Sequence, residues 1–394
     1  MLYRRFGRTE LRMPVLSCGG MRFQQSWTDG VSVTPESQRN LEAIVARALD
    51  LGIHHFETAR GYGTSGEQLG RVLRGIERSR VIVQTKVGPA PDVAEFRAGV
   101  ERAFRDLGLE QVDLFAIHGI NDADRFAWTF RKGGCLEIAL ELKRQGRARW
   151  LGLSTHAPLP LLMEILRDGC FDFVNLHWYW VFQRNAPALA EARRHDMGVF
   201  IISPTDKGGR LYAPSAKLRD LTAPLSPIVF NDAWTLSNPL VHTLSVGAER
   251  PTDFDEHVKA LALVTEPAEM APLVRDIDVR LQAELGRVLG RRWVETWDEG
   301  LPEWHEAPGQ VNVREIVRLR NLALALDMLD YGKARYNLLS RGDHWFPGNQ
   351  ADAGVALDWT PSLARSPHAD RIPSVLAEAH ALLAGEPVKR LGRH

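Results

Sequence analysis

The chain has 394 residues, 44% of them hydrophobic, a length that suits one large domain with an appendage or two ordinary domains. Its 49 basic residues balance its 49 acidic residues, so no net charge attracts nucleic acid or an anionic membrane surface non-specifically. The three cysteines lack C-x-x-C spacing, and their odd number argues against a disulfide framework and favours a reducing compartment.

The N-terminal stretch MLYRRFGRTELRMPVLSCGG has basic residues but no apolar run long enough for a secretion signal or a membrane span. We therefore expect a cytoplasmic protein that binds neither membrane nor nucleic acid. Within this stretch, YRRFGRTELRMP contains turn signals and predicts a hairpin ahead of the first strand.

Between about residues 15 and 265, short β-branched apolar runs alternate with stretches of helical period, which is typical of a parallel sheet with helical crossovers. The first crossover begins at Thr34-Pro35, a helix N-cap and first-turn proline, and Gly52 can end it. Gly108 can end the third in the same way. The predicted strands are VLSCGGM, HFETA, VIVQTKV, VDLFAIHG, RWLGLST, FVNLHWY, GVFIISP and HTLSVGA.

An open doubly wound sheet would show the same alternation, so the choice of fold depends on where the polar residues lie. In a (β/α)8 barrel, functional side chains gather at the carboxyl ends of the strands, where all the loops converge. Several of the predicted strands end in such residues, and the hairpin would then close the bottom of the barrel. We predict a (β/α)8 TIM barrel with strand-end residues Glu57, Lys86, His118, Ser154, Thr155 and His177.

From about residue 266 the alternation stops and the pattern becomes helical, with tryptophan-rich connections. We predict a barrel over 1–265 and a helical C-terminal extension over 266–394. The extension should contain two long helices, over 268–289 and 312–338, and an irregular tail after Pro347.

Four of the strand-end and loop residues suit proton transfer during carbonyl reduction, which needs a hydride at carbon and a proton at oxygen. Tyr62 can donate the proton, and a nearby lysine ammonium favours its phenolate. Glu57 can hold Lys86 in place, and His118 can orient the carbonyl oxygen. The sequence therefore predicts an oxidoreductase acting on a small-molecule carbonyl or alcohol.

The runs FETARGYGTSGEQLG, VQTKVGP and LFAIHGIND together resemble the aldo-keto reductase superfamily, whose site has Asp, Tyr, Lys and His in this order. The resemblance covers most of residues 1–265. It implies that Tyr62 is the general acid, that Lys86 lowers the pKa of Tyr62, and that His118 orients the carbonyl. Glu57 departs from the family pattern, because the family usually has aspartate there.

The resemblance also implies a nicotinamide cofactor. Ser154 and Thr155 lie where the family binds the carboxamide, and Asn175 or its neighbour Leu176 falls near a further amide-binding position. Ile202 replaces the aromatic residue that many relatives stack on the nicotinamide. The remaining implied cofactor residues are Ser203 and Pro204 at the pyrophosphate, and Gly247, Ala248, Glu249, Arg250 and Glu256 at the adenosine.

Charges in GAERPTDFDEH give conflicting signals on the choice of cofactor. A 2′-phosphate needs cations, whereas a free 2′-hydroxyl can be bound by a carboxylate. Arg250 favours NADP, while Glu249 and Asp253 stand where a further cation would be expected. We predict NADP, with NAD as the alternative.

The C-terminal extension resembles the tail of a subset of microbial aldo-keto reductases, some of which have ferredoxin-like cysteine clusters. No cysteine follows Cys170 here, so an iron–sulfur cluster in the extension is excluded by ligand count. The adjacent His54 and His55 cannot easily share one metal ion, because neighbouring strand residues face opposite sides. We predict no metal site.

Other interpretations remain open at this stage. GYGTSG matches the Rossmann pattern G-x-G-x-x-G, but the next strand ends in Lys86 rather than an acidic residue. A regulatory barrel that binds cofactor without catalysis, or a Schiff-base lyase using Lys86, would fit part of the pattern. The run HWYW, residues 177–180, favours a sugar-like substrate if it lines the pocket and has no bearing on the substrate if it packs in the core. The oligomeric state is not predicted.

Overall fold

A computed structural model of the chain describes residues 1–265 and 267–386. It divides into two compact units, one formed by Met1–Gly208 with Asn231–Pro267, the other by Gly209–Phe230 with the described residues from Ala268 onward. This division differs from the predicted boundary at residue 265 in one segment. Residues 209–230, which follow the seventh barrel strand, group with the C-terminal unit.

The first unit contains a closed barrel of eight parallel strands, which confirms the predicted fold class. Each predicted strand has an observed counterpart, and β10 pairs with β3 to close the barrel. An antiparallel hairpin, β1 with β2, precedes it. The strands are β1 (Tyr3–Arg5), β2 (Arg12–Pro14), β3 (Leu16–Gly19), β4 (His55–Glu57), β5 (Ile82–Val87), β6 (Val112–His118), β7 (Ala148–Ser154), β8 (Phe173–Leu176), β9 (Gly198–Ile201) and β10 (Thr243–Gly247).

Ten helices accompany the strands up to residue 265, and most of them are the crossovers that the sequence predicts. Thr34 caps α1 by accepting a hydrogen bond from the Ser37 amide, and Gly108 ends α3 with φ +62°. The helices are α1 (Pro35–Asp50), α2 (Ser65–Leu73), α3 (Val93–Leu107), α4 (Ala123–Phe130), α5 (Cys135–Arg144), α6 (Leu159–Arg167), α7 (Ala186–Arg194), α8 (Ala216–Thr222), α9 (Pro227–Ser237) and α10 (Phe254–Thr265).

The hairpin closes the bottom of the barrel, as predicted. Phe6, in the turn between β1 and β2, is fully buried, and its ring lies 5.9 Å from that of Phe173 at the start of β8. A Cβ at Gly198, the first residue of β9, would approach Phe6 within 2.6 Å, so only glycine leaves room for this ring. Apolar side chains thus seal the amino ends of the strands and leave the carboxyl ends for the site.

The second unit is helical and contains α8 together with α11 (Pro267–Leu289), α12 (Arg291–Thr296), α13 (Val313–Leu326), α14 (Leu329–Tyr336), α15 (Thr360–Leu363) and α16 (Ile372–Leu383). The helix predicted over 268–289 is present as α11. The single helix predicted over 312–338 is wrong, because Asp327 adopts a left-handed φ of 55° and separates α13 from α14. The irregular tail is also wrong in part, since α16 buries Ile372, Val375 and Leu376. None of the helices in the described part of the chain combines the length and apolarity needed to cross a membrane.

Candidate active site

Three of the four predicted proton-transfer residues lie at the carboxyl ends of adjacent barrel strands. Glu57 ends β4, Lys86 is the penultimate residue of β5, and His118 ends β6. These strands pair in parallel, so their ends meet at one edge of the barrel. Tyr62 follows β4 by five residues and completes the group.

Lys86 and Glu57 form an ion pair inside the barrel. The Lys86 ammonium contacts the Glu57 carboxylate, and the two side chains are only 2% and 4% exposed. Lys86 Nζ also donates a 2.9 Å hydrogen bond to the Thr58 carbonyl oxygen. Burial lowers the pKa of Lys86 well below its usual value, while the carboxylate opposes this shift by favouring the ammonium. Each member of the pair therefore depends on the other to remain charged at this depth.

The Glu57 carboxylate lies beside a glycine of the neighbouring strand. Gly19 on β3 lies opposite Glu57 in the strand register. A Cβ at Gly19 would lie 3.5 Å from Glu57 Oε2 and only 2.4 Å from Ser245 Oγ. Ser245 is thus what requires glycine at this position, while the Glu57 carboxylate lies at ordinary van der Waals distance from it. Glu57 contacts Lys86 at a position where the family usually has aspartate.

The Tyr62 loop packs tightly against the segment after β3. Gly63 has φ +52°, and a Cβ there would lie 1.9 Å from the Ser26 carbonyl oxygen, so the position requires glycine. The Thr64 amide donates to the same carbonyl at 2.9 Å, and Thr64 Oγ1 accepts from the Gln25 amide at 3.0 Å. These contacts explain the Gly-rich GYGTSG run as a packing motif that fixes Tyr62, rather than as a Rossmann phosphate loop.

The Tyr62 ring contacts three side chains that define its environment. It meets the His118 ring edge-on, with centroids 5.6 Å apart, and Lys86 Nζ lies 4.8 Å from its centroid. Trp27 approaches from the outer side at 6.3 Å. Tyr62 is 8% exposed, and its burial raises the pKa of the phenol above its usual value. The Lys86 charge acts in the opposite direction, so burial outweighs the pKa lowering that the resemblance implies.

The predicted carboxamide-binding residues lie together at the ends of β7 and β8, where Ser154 is paired with Asn175 in the register. Both side-chain amide atoms of Asn175 are buried and lack a hydrogen-bond partner among the described residues. A primary carboxamide has the donor and acceptor that such a side chain requires. Ser154 Oγ accepts from the Gly119 amide and keeps its own proton to donate.

Thr155 has a different environment from Ser154 and Asn175. Its hydroxyl donates to the Ile120 carbonyl oxygen at 2.6 Å and accepts from the Ala157 amide at 2.9 Å. The side chain thus fixes the turn after β7, and its donor is used within the protein.

Ser203 and Pro204 form a tight turn after β9. Ser203 adopts a left-handed φ of 53°, and its carbonyl oxygen accepts from the Lys207 amide at 3.1 Å. Asn231 Nδ2 donates to the Pro204 carbonyl oxygen at 3.3 Å. Ile202 is half-buried beside the turn. The turn is well anchored at the barrel mouth, as a phosphate-binding segment requires.

The loop after β10 is organised by Arg22, a residue that sequence reasoning missed. Arg22 donates to the Gly247 carbonyl oxygen at 2.7 Å and to Glu249 Oε2 at 2.9 Å, and it lies 3.3 Å from Asp253. Arg250 is 76% exposed and pairs with Asp253 at 3.0 Å. The two carboxylates that conflicted with NADP therefore have internal cationic partners.

The other two residues predicted for the adenosine lie on either side of this loop. Ala248 is fully buried behind it. Glu256, in the first turn of α10, pairs with Lys259 at 2.6 Å.

The aromatic side chains at the mouth of the barrel differ in exposure. The run His177–Trp180 is buried, with Trp178 stacked on Trp234 at 4.5 Å, so these rings favour core packing over a sugar platform. Trp27, by contrast, is 45% exposed beside Tyr62. The sequence did not indicate that Trp27 lies near Tyr62, because this proximity arises from the folded turn at Gly63.

The described residues contain no group of three or more His, Cys, Asp or Glu side chains placed to hold a metal ion. His55 lies inside the barrel, where its Nδ1 bonds Ser17 Oγ at 2.7 Å. The neighbouring His54 Nε2 instead bonds the Arg12 carbonyl oxygen, so the two rings have separate partners.

Comparison with known proteins adds independent information. A model of the aldo/keto reductase family matches residues 15–220. L-glyceraldehyde 3-phosphate reductase from Escherichia coli K12 is 26% identical over 324 residues, covering 67% of this chain and 89% of that protein.

Solved structures show a similar fold. The holo form of an aldo-keto reductase from Bacillus halodurans aligns with a TM-score of 0.58 at 21% identity, covering 70% of this chain and 96% of that one. An aldo-keto reductase from Klebsiella pneumoniae in complex with NADPH aligns with a TM-score of 0.55 at 20% identity, covering 69% and 94%.

Proposed function

Because the chain belongs to the aldo/keto reductase family and is thus an NAD(P)-dependent oxidoreductase, we propose that it reduces a small carbonyl compound with NADPH, or runs the reverse reaction, with Tyr62 as proton donor. The main supporting observation is the buried arrangement in which the Tyr62 ring contacts His118 while Lys86 Nζ lies 4.8 Å from its centroid. A phenol placed in this way can exchange a proton with a substrate oxygen at the barrel mouth.

The cofactor fits the side chains that surround its expected position. The unpartnered amide of Asn175 and the Ser154 hydroxyl suit a carboxamide. Ser203 and Pro204 would hold the pyrophosphate, and Gly247, Ala248, Glu249, Arg250 and Glu256 the adenosine end. Arg250, assisted by Arg22, would bind the 2′-phosphate that distinguishes NADP from NAD. When bound, the nicotinamide supplies the hydride.

Proton transfer is the task of the protein's own side chains. Tyr62 is protonated at neutral pH, since the ordinary pKa of a phenol is near 10 and burial raises it further. In reduction it passes that proton to the carbonyl oxygen, which His118 holds in position by a hydrogen bond. The phenolate that remains is stabilised by the Lys86 ammonium.

Glu57 contributes through Lys86 rather than by contact with substrate. Its carboxylate keeps Lys86 charged and fixes the ammonium near the Tyr62 ring. An intact buried pair is what catalysis requires, and this favours an enzyme over a regulatory barrel that has lost its chemistry. Burial of Lys86 against Glu57 also disfavours a Schiff-base lyase, which would need a Lys86 amine that the substrate carbonyl can reach.

The substrate class that the site supports is a small polar aldehyde. Trp27 offers a partly exposed aromatic face next to Tyr62, and such faces pack against the C–H groups of polyhydroxylated molecules. The similarity to L-glyceraldehyde 3-phosphate reductase points to the same class.

The proposal is tested by following NADPH oxidation with glyceraldehyde, glyceraldehyde 3-phosphate and an aromatic aldehyde, with NADH in parallel. We expect turnover of at least one polyhydroxylated aldehyde and a higher kcat/KM with NADPH than with NADH. Tight NADPH binding without oxidation by any aldehyde would support the regulatory alternative. Trapping of a substrate on Lys86 by borohydride would support the lyase.

A further inference from the structure

The turn after β9 is connected to a buried chain of polar residues that the proposed chemistry does not use. Thr205, directly after Pro204, has its Oγ1 3.5 Å from His257 Nε2. His257 Nδ1 lies 2.5 Å from Asp232 Oδ2. The three residues come from three elements: the turn itself, α10 and α9.

Burying these polar groups costs desolvation free energy. Asp232 is 1% exposed and His257 is 4% exposed, so both polar groups have been removed from water. An apolar pair of similar volume at such positions is often neutral or stabilising. The presence of Asp232 and His257 here therefore calls for an explanation other than fold stability.

The hydrogen-bond directions are set by chemistry. A carboxylate only accepts, so Nδ1 of His257 must donate to Asp232. This fixes the ring plane and leaves Nε2 facing the Thr205 hydroxyl. The imidazole of His257 thus lies between the buried Asp232 carboxylate and Thr205, the residue that follows the phosphate-binding turn.

A second anchor acts on the same turn from the same helix. Asn231, adjacent to Asp232 on α9, donates to the Pro204 carbonyl oxygen at 3.3 Å, and its Oδ1 accepts from the Trp180 amide at 3.4 Å. Consecutive residues of α9 therefore hold consecutive residues of the turn. Ser203 just before them has φ +53°, a backbone conformation that is strained for serine and must be maintained by its surroundings.

We propose that Asp232 and His257 are positioning residues that hold Thr205, and with it the Ser203–Pro204 turn, in the conformation that binds the cofactor pyrophosphate. This inference rests on the proposed function, because it requires the turn to receive a dinucleotide. Neither residue touches the reacting atoms, so the proposal concerns cofactor affinity and leaves the proton-transfer step unchanged.

The test measures binding of NADP⁺ by calorimetry to variants Thr205→Val and Asp232→Leu and to the double variant. We expect each single substitution to raise the Kd for NADP⁺ by about tenfold, and the double to be no weaker than either single, because both break the same chain of contacts. Asp232→Asn, which keeps an acceptor for Nδ1, should restore most of the affinity. Ser237→Ala is the matched control, since this α9 hydroxyl donates to the Ala233 carbonyl oxygen of its own helix.

A second ligand separates the turn from the loop after β10. Adenosine 2′-phosphate lacks the pyrophosphate, so its Kd should change less than twofold in the same variants. Unchanged NADP⁺ binding with a lower melting temperature would assign the pair to fold stability and overturn the proposal, as would equal weakening of both ligands. Failure of the wild-type protein to bind NADP⁺ would instead overturn the proposed function itself.

Discussion

Ion pairs at the catalytic group and at the loop after β10 differ mainly in burial. Lys86 and Glu57 are nearly inaccessible, at 2% and 4% exposure, whereas Arg250 in its pair with Asp253 is 76% exposed. In the barrel, each charge has lost its water and depends on its partner. In the loop, Arg250 is surrounded by solvent although Asp253 is only 15% exposed, so the Arg250 charge is screened and the pair contributes little to stability.

The difference in burial indicates which of the two cations, Lys86 or Arg250, can exchange its carboxylate partner for a ligand. An exposed Arg250 can leave Asp253 for a phosphate at small cost, which suits a residue that must bind and release a cofactor. Lys86 has no such freedom, which suits a residue whose charge must remain near Tyr62 throughout turnover.

Among substitutions in the two ion pairs, Lys86→Met should have the largest effect. It leaves Glu57 as an uncompensated buried carboxylate, which should cost about 3–5 kcal/mol of unfolding free energy. It should also lower kcat by about 10²–10³-fold through loss of the charge facing the phenolate. Denaturant titration and steady-state kinetics measure the two effects.

The double variant Glu57→Leu/Lys86→Met is the control for that loss of stability. Removing both charges should return the unfolding free energy to the wild-type value or above it while activity stays lost. A double variant as unstable as the single would show that the pair supports the barrel by packing rather than by charge.

Substitutions at Glu57 separate charge from length. Glu57→Gln keeps the length but removes the charge that holds Lys86 as an ammonium, so kcat should fall by about 10²-fold. Glu57→Asp keeps the charge and withdraws it from the space beside Gly19, so the loss should be smaller, about tenfold. Equal activity of the wild type and the Gln variant would contradict the role given to the ion pair.

The pH dependence of the two reaction directions should differ. Because burial raises the pKa of Tyr62 above its ordinary value, ionisation of the phenol should not slow reduction up to at least about pH 10. Alcohol oxidation needs the phenolate and should rise with pH across the same range. A reduction rate that falls between pH 7 and 9 in both the wild type and Lys86→Met, where Lys86 cannot titrate, would contradict a raised pKa at Tyr62.

Arg250→Ala should have the smallest effect on the fold and a selective effect on binding. The unfolding free energy should change by less than about 0.5 kcal/mol, as expected for an exposed pair. The Kd for NADPH should rise about tenfold through loss of a charge-assisted contact, while the Kd for NADH stays the same. Equal loss for both cofactors would remove Arg250 from recognition of the 2′-phosphate.

The sequence was sufficient to predict the barrel and the gathering of Glu57, Tyr62, Lys86 and His118. Both follow from local signals, since apolar alternation marks the strands and parallel strand ends must converge. The helix α16 could have been predicted as well, because Ile372, Val375, Leu376, Ala379 and Leu383 repeat at helical spacing.

Other features depend on contacts between residues far apart in the chain, and no local pattern encodes them. Arg22 meets Glu249 across 227 positions. Asp232 meets His257 across 25 positions. The break at Asp327 has a different origin, because one left-handed residue interrupts an otherwise continuous apolar pattern.

Single-turnover reduction of a reactive aldehyde by bound NADPH tests the central claim, that Tyr62 is the proton donor. Wild-type protein should oxidise its bound NADPH in one phase, and Tyr62→Phe should slow that phase by about 10²–10⁴-fold without changing the Kd for NADPH. Equal rates for the two proteins would contradict the assignment of Tyr62.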